Sequence, residues 1–96
     1  MDSVWVFVGS GATFPAAIFA DESTARKWIA HNSVSGMLTE YPVGVSVYEW
    51  ANAKGYWAPK RPDQKTPAFI GRFTSAHLTH YHFEDGRDAA DDAGPG

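Results

Sequence analysis

Five consecutive residues, Val4-Trp5-Val6-Phe7-Val8, are all β-branched or aromatic, and they constrain the fold more than any other feature of the chain. Such a run, bounded by Ser3 and Gly9, predicts a strand. Side chains alternate across a strand, so Val4, Val6 and Val8 point one way and Trp5 and Phe7 the other. Both faces are apolar, which predicts a central strand with at least one well-covered face. The rest of the chain must therefore supply neighbouring strands and a covering layer.

The remaining elements can be read in order. Gly9-Ser10-Gly11 is a flexible connection, and Ala16 to Phe19 is expected to pair with the first strand as an antiparallel hairpin. Asp21 is placed to cap a helix, with Glu22 at the positive end of its dipole. Ala25, Trp28 and Ile29 follow helical spacing and predict a buried stripe, while Arg26 and Lys27 are expected to face water. Asn32 or Gly36 is expected to end the helix. Met37 to Tyr41 reads as a third strand, stopped by Pro42. Ser46-Val47-Tyr48-Glu49 fits a capping box and predicts a short helix over 47–54. Pro59 and Pro62 predict an extended loop over 56–64. Thr66-Pro67 predicts a helical turn to Ile70, because proline suits the first helical position. His77 to Phe83 alternates and predicts a final strand, with Thr79, Tyr81 and Phe83 on one side and Leu78, His80 and His82 on the other.

The order is β-β-α-β-α-β, with a short turn before the last strand. It predicts an α+β domain: a four-stranded, mostly antiparallel sheet with two helices on one face. Residues 1–83 are expected to form the compact domain. Residues 84–96 hold five carboxylates against Arg87 and no large apolar side chain, so they are expected to be a disordered acidic tail. A chain of 96 residues has room for one core. Its 4 Trp, 4 Tyr and 6 Phe supply large buried areas without disulfides.

With no cysteine, thiolate zinc sites, disulfide frameworks and cysteine nucleophiles are excluded. The N-terminus has no basic segment, and its apolar run is too short for a signal or a membrane span, so a cytoplasmic protein without membrane contact is expected. The net charge of −3 is unevenly spread. Residues 54–83 carry Lys54, Lys60, Arg61, Lys65 and Arg72 against Asp63, whereas residues 1–53 are net acidic.

Three groups of residues have chemistry to offer. His80 and His82 share one strand face, and Glu84 extends it, which begins a divalent-metal site. Two imidazoles and one carboxylate on a single strand fall short of a full ligand set, and the plainer reading is an exposed strand face. The basic, aromatic segment from Lys54 to Phe73 has the residue types that bind a phosphate backbone and stack bases. The acidic balance of the whole chain argues against nucleic acid. Catalysis has no complete motif. Gly9-Ser10-Gly11-Ala12-Thr13 lacks the Lys-Ser/Thr ending of a phosphate loop and leads into a strand. No catalytic residue is assigned and no cofactor is expected.

The segments Trp5-Val6-Phe7, Leu38-Thr39-Glu40-Tyr41-Pro42, Phe69-Ile70-Gly71-Arg72-Phe73 and His80-Tyr81-His82, with Tyr48-x-Trp50-Ala51 between them, give the chain a resemblance to an uncharacterised family of small bacterial α+β proteins. That resemblance brings no activity and no site residue. In size and style such proteins are similar to toxin-neutralising immunity proteins.

These features favour a non-enzymatic protein-interaction module, immunity- or antitoxin-like, with a protein partner. The contact residues are expected to be Tyr56, Trp57, Lys60, Arg61 and Arg72, because Trp, Tyr and Arg dominate binding hot spots. A plain covering role over the core is the competing reading of Trp57. The alternative function is a small-molecule- or metal-binding domain, or a small enzyme, with a pocket that uses Glu40, His80 and His82. The oligomeric state stays open, a homodimer included.

Overall fold

The computed structural model describes residues 2–92. The first strand, β1 (Ser3–Gly9), lies inside the sheet as its apolar run predicts, paired on both sides. β2 (Ala17–Phe19) flanks it on one side and β3 (Gly36–Pro42) on the other. β4 (His80–Glu84) pairs with β3, and β5 (Arg87–Asp88) closes the far edge. All pairings are antiparallel, in the order β2-β1-β3-β4-β5. The sheet thus has five strands where four were expected, and the fifth comes from the stretch that composition marked as a tail.

Between β2 and β3 lies helix α1 (Glu22–Asn32). Asp21 caps it, its Oδ1 accepting the Thr24 N–H at 2.7 Å. Ser33, not Asn32 or Gly36, takes the left-handed conformation at the other end, with φ 53°. Ala25 and Ile29 are buried, and Trp28 packs against the core. The sheet answers with Trp5 and Phe7 from β1, Leu38 from β3 and Phe83 from β4. Trp28 meets Phe7 edge-on at 5.5 Å between centroids and Phe19 at 5.6 Å. Burying one such large side chain contributes about 1.5–3 kcal/mol, and six of the eight buried apolar residues among the described residues belong to this cluster.

The other helices are not stacked beside α1. Helix α2 (Val47–Ala53) starts at Ser46, whose Oγ accepts the Glu49 N–H at 3.0 Å. A 3-10 turn (Pro62–Lys65) and helix α3 (Pro67–Arg72) follow. Thr66 caps α3 as its sequence predicts, accepting the Phe69 N–H at 3.3 Å. This makes three helices of more than one turn where two were expected. The region from α2 to α3 builds its own aromatic cluster. Tyr48 lies 5.2 Å from Trp57 and 5.5 Å from Phe73, and Trp57 lies 4.7 Å from Phe73. The Tyr48 hydroxyl donates to the Gln64 carbonyl at 2.9 Å, tying α2 to the 3-10 turn.

β4 begins at His80, three residues later than expected. Ser75 accounts for the difference: its Oγ accepts the His77 N–H at 3.1 Å and its carbonyl accepts the Leu78 N–H at 3.3 Å. Residues 75–78 therefore form a turn that buries Leu78.

The expected disordered tail is corrected over residues 84–92. Glu84 ends β4, Asp85-Gly86 makes a two-residue turn into β5, and α4 (Ala89–Asp92) follows. Asp85 and Gly86 have φ of 51° and 84°, the two positive values of a type I′ hairpin turn. The turn docks on the end of α1. Gly86 donates its N–H to the Val34 carbonyl at 2.9 Å, and Asp85 donates its N–H to Ser35 Oγ at 2.9 Å. The last part of the expected tail, residues 93–96, lies outside the described residues.

Arg26 is likewise not the water-facing residue that helical spacing predicts. Its Nε donates to Glu22 at 2.7 Å and its Nη1 to Asp88 at 3.1 Å. The guanidinium sits 4.5 Å from the Tyr81 ring centroid and 5.2 Å from that of Phe83. Burial pulls its pKa down, but the hydrogen bonds to Glu22 and Asp88 outweigh this and hold it above its ordinary range. A cation on α1 thus clamps β5 to the sheet.

Candidate interaction surfaces

Strand alternation gives the sheet two unlike faces. Trp5, Phe7, Leu38 and Phe83 face α1. The register places Val6 opposite both Ile18 and Thr39, Val8 opposite Met37, and Val4 opposite Tyr41. Thr39 stands opposite His80 and Met37 opposite His82. These residues share the second face, on the side of the sheet away from α1. Ile18 is 64% exposed and Met37 38%. Toward β4 this face sinks into a hollow of about 310 Å³, floored by Met37, Thr39 and Tyr41 and walled by Thr74, Ser75 and Ala76.

The same alternation separates the residues of the expected pocket. Glu40 pairs with Trp5 and lies on the α1 side of the sheet, whereas His80 and His82 lie on the other. Glu40 accepts a hydrogen bond from the Ser3 hydroxyl. It lines a cleft of about 280 Å³ with Asp2, Trp50 and Lys54. A single site using Glu40, His80 and His82 is therefore not assembled.

The metal-ligand expectation is also unmet in geometry. The His80 and His82 rings stand edge-to-face with centroids 5.6 Å apart. His80 Nδ1 lies 2.7 Å from the Leu78 carbonyl, which only accepts, so Nδ1 is the protonated nitrogen. Glu84, at the end of β4, stands opposite Arg87 across the hairpin. Among the described residues, no three His, Asp or Glu side chains converge as a ligand set.

The five expected contact residues divide into two kinds. Trp57 is half-buried in the aromatic cluster with Tyr48, Phe69 and Phe73, so it braces the loop. Tyr56 is 50% exposed and packs at a tilt against His77, with ring centroids 4.1 Å apart. Lys60 and Arg61 are exposed on the same loop, where the Lys60 N–H donates to Gln64 Oε1 at 2.7 Å and fixes the backbone. Arg61 pairs with Asp63 at 3.2 Å. Arg72, exposed at the end of α3, lies 6.0 Å from the Phe69 ring. Among the described residues, Lys54, Lys60, Lys65 and Arg72 have no carboxylate within ion-pair distance. The lobe is a braced platform that shows one aromatic ring and several cations to solvent.

Two features escaped the sequence reading. The docked Asp85-Gly86 turn had a signal, since Asp-Gly is the favoured dipeptide of a two-residue hairpin. The apolar sheet face had one in the alternating Val4, Val6 and Val8 and the exposed partner strands. No helix among the described residues is long and apolar enough to cross a membrane. No curated protein and no solved structure matches the chain. A family model described as a domain of unknown function, DUF7710, matches residues 4–89, from the start of β1 into α4, and the chain belongs to that family.

Proposed function

We propose that this protein is a non-enzymatic interaction module that docks an acidic surface of a partner protein on its α2–α3 lobe. The observation that carries the reading is the set of exposed cations on that lobe, held by a braced backbone; among the described residues only Arg61 of this set has a carboxylate partner, Asp63. A flexible basic loop would lose side-chain and backbone entropy on binding. A platform fixed by the Trp57 cluster has already met much of that cost. Tyr56 adds an aromatic contact with few rotatable bonds, at the edge of the charged area. Lys60, Arg61 and Arg72 steer the encounter, and their attraction weakens with salt. Neutralising a toxin by occupying it, as immunity proteins and antitoxins do, is a form of this role suited to a small single domain. A cytoplasmic setting agrees with a fold that uses no disulfide.

The test compares wild type with a Lys60→Glu/Arg61→Glu/Arg72→Glu variant, each immobilised and exposed to lysate of the native cell at low salt. A polypeptide held by wild type, released by salt and lost from the variant is the expected result. Capture profiles that do not differ between the two would sink the reading. Trp57→Ala is unsuitable here, because it loosens the platform and the contact together.

A further inference from the structure

We propose that the sheet face on the side opposite α1 is a homodimer interface occupied by the same face of a second copy. Four observations point to a copy of this chain.

First, the face is apolar without fixed charge at its centre. Val4, Val6, Val8, Ile18, Met37 and Tyr41 lie on it with Thr39, His80 and His82, and neither Asp, Glu, Lys nor Arg stands among them. Charge enters only at its margin, at Glu84 and Arg87. A charge-depleted centre with a polar margin is the anatomy of a protein interface. It meets its own copy without like-charge repulsion, whereas a strongly charged partner would find nothing to pair with.

Second, the relief of the face is self-complementary. Ile18 projects from the β2 side, 64% exposed, and the hollow floored by Met37, Thr39 and Tyr41 lies on the β3–β4 side. Ridge and hollow are separated by about 10–14 Å, two to three strand spacings. A two-fold axis lying in the plane between the facing sheets, parallel to the strands and midway between ridge and hollow, brings each Ile18 over the partner's hollow, which is the isologous arrangement of a symmetric dimer.

Third, the edges of the sheet do not compete. β2 has 3 residues and β5 has 2, too few for a strong edge-to-edge ladder. Face-to-face packing is the open route.

Fourth, the size suits a weak dimer. Strand rise and spacing give the four strands β2, β1, β3 and β4 a plan area of about 350 Å² per copy. With side-chain relief the pair reaches the lower end of specific interfaces, about 1,000 Å² in total, the class of weak and reversible association. The α2–α3 lobe is a different surface, so the dimer and the proposed partner contact stand or fall separately.

Sedimentation equilibrium tests the proposal over about 1–300 µM protein, the range in which a weak dimer passes from mostly dissociated to mostly associated. The mass is expected to rise with concentration toward twice the 10.5 kDa of the chain. Ile18→Glu and Met37→Lys each alter an exposed side chain and leave the helical circular dichroism unchanged. Either one raises the dissociation constant by about a hundredfold or more, because it buries an unpaired charge. Mixing the two variants restores a dimer, since the new carboxylate of one copy then meets the new ammonium of the other. A wild-type mass that stays monomeric throughout, or a dimer indifferent to both substitutions, overturns the proposal. A mixture that stays monomeric overturns the pairing of Ile18 with the hollow.

Discussion

Gly86→Ala is expected to destabilise the protein by about 1.5–3.5 kcal/mol, and the components of that figure can be separated. Gly86 has φ 84° and is buried against the end of α1. A Cβ there would lie 3.0 Å from Ser33 Cα, 3.1 Å from the Ile29 carbonyl oxygen and 3.2 Å from Ala30 Cα. All three neighbours are backbone atoms, so no side chain can swing aside. The left-handed conformation alone costs an L-residue about 1–2 kcal/mol. Relief of the contact requires the turn to lift from α1, which stretches the 2.9 Å bond from the Gly86 N–H to Val34. A hydrogen bond of that kind contributes about 0.5–1.5 kcal/mol. Gly44→Ala is the control, since Gly44 has φ 86° with no atom within 4 Å of the added Cβ. It incurs the conformational cost and nothing else. Urea denaturation followed by tryptophan fluorescence gives both values, with the slope expected to stay constant. The excess of Gly86→Ala over Gly44→Ala measures the docking of the hairpin. Equal losses in the two variants would refute the claim that residues 84–88 belong to the packed fold.

The Arg26–Asp88 clamp predicts a coupling of about 1 kcal/mol in a double-mutant cycle of Arg26→Gln and Asp88→Asn, measured by urea denaturation; additive losses would deny it. Deletion after Glu84 removes that clamp and the turn together, so it should lower the unfolding midpoint, where loss of a mere tail would leave it unchanged. Asp21 has its pKa lowered by the Thr24 backbone N–H foremost and by the Thr24 hydroxyl next. The sign follows: its contribution is complete above the unfolded carboxylate range, near about 4, and is lost as pH falls through the lower folded value. Asp21→Asn keeps a capping oxygen without the proton linkage, so its loss of stability between pH 7 and acid should be smaller than that of wild type in paired urea titrations. Trp57→Ala should cost about 2 kcal/mol in thermal melts through the cavity it leaves among Tyr48, Phe69 and Phe73. Tyr56→Ala, at an exposed position, should stay within about 0.5–1 kcal/mol of wild type.

What could be read from the sequence was whatever a single element carries within itself. The run Val4–Val8 announced an inner strand because each of its two faces is apolar in its own right. Asp21, Ser46 and Thr66 announced three helix starts because a cap acts within its own first turn. Residues 84–88 were misjudged because composition weighs apolar area, and that stretch is held by other means. Two backbone N–H groups reach Val34 and Ser35, and one carboxylate reaches Arg26, none of which requires a large side chain. Arg26 was misjudged for the same reason: its place on α1 is fixed by a strand that composition did not credit.

The candidate sites failed or survived on a related distinction. His80 and His82 share a face because they are two apart on one strand, and that parity is written in the sequence. Glu40 was grouped with them across two strands, and parity between strands depends on register. Here Thr39, not Glu40, pairs with His80, so one residue of offset sends the carboxylate to the α1 side. The same one-residue rule that divided this pocket gathered Val4, Val6 and Val8 with Ile18, Met37 and Tyr41 on the other side. An apolar surface of that extent has a physical cost in water wherever it is left bare. The register that separates Glu40 from His80 and His82 is therefore also what gathers the apolar side chains that the proposed dimer would cover.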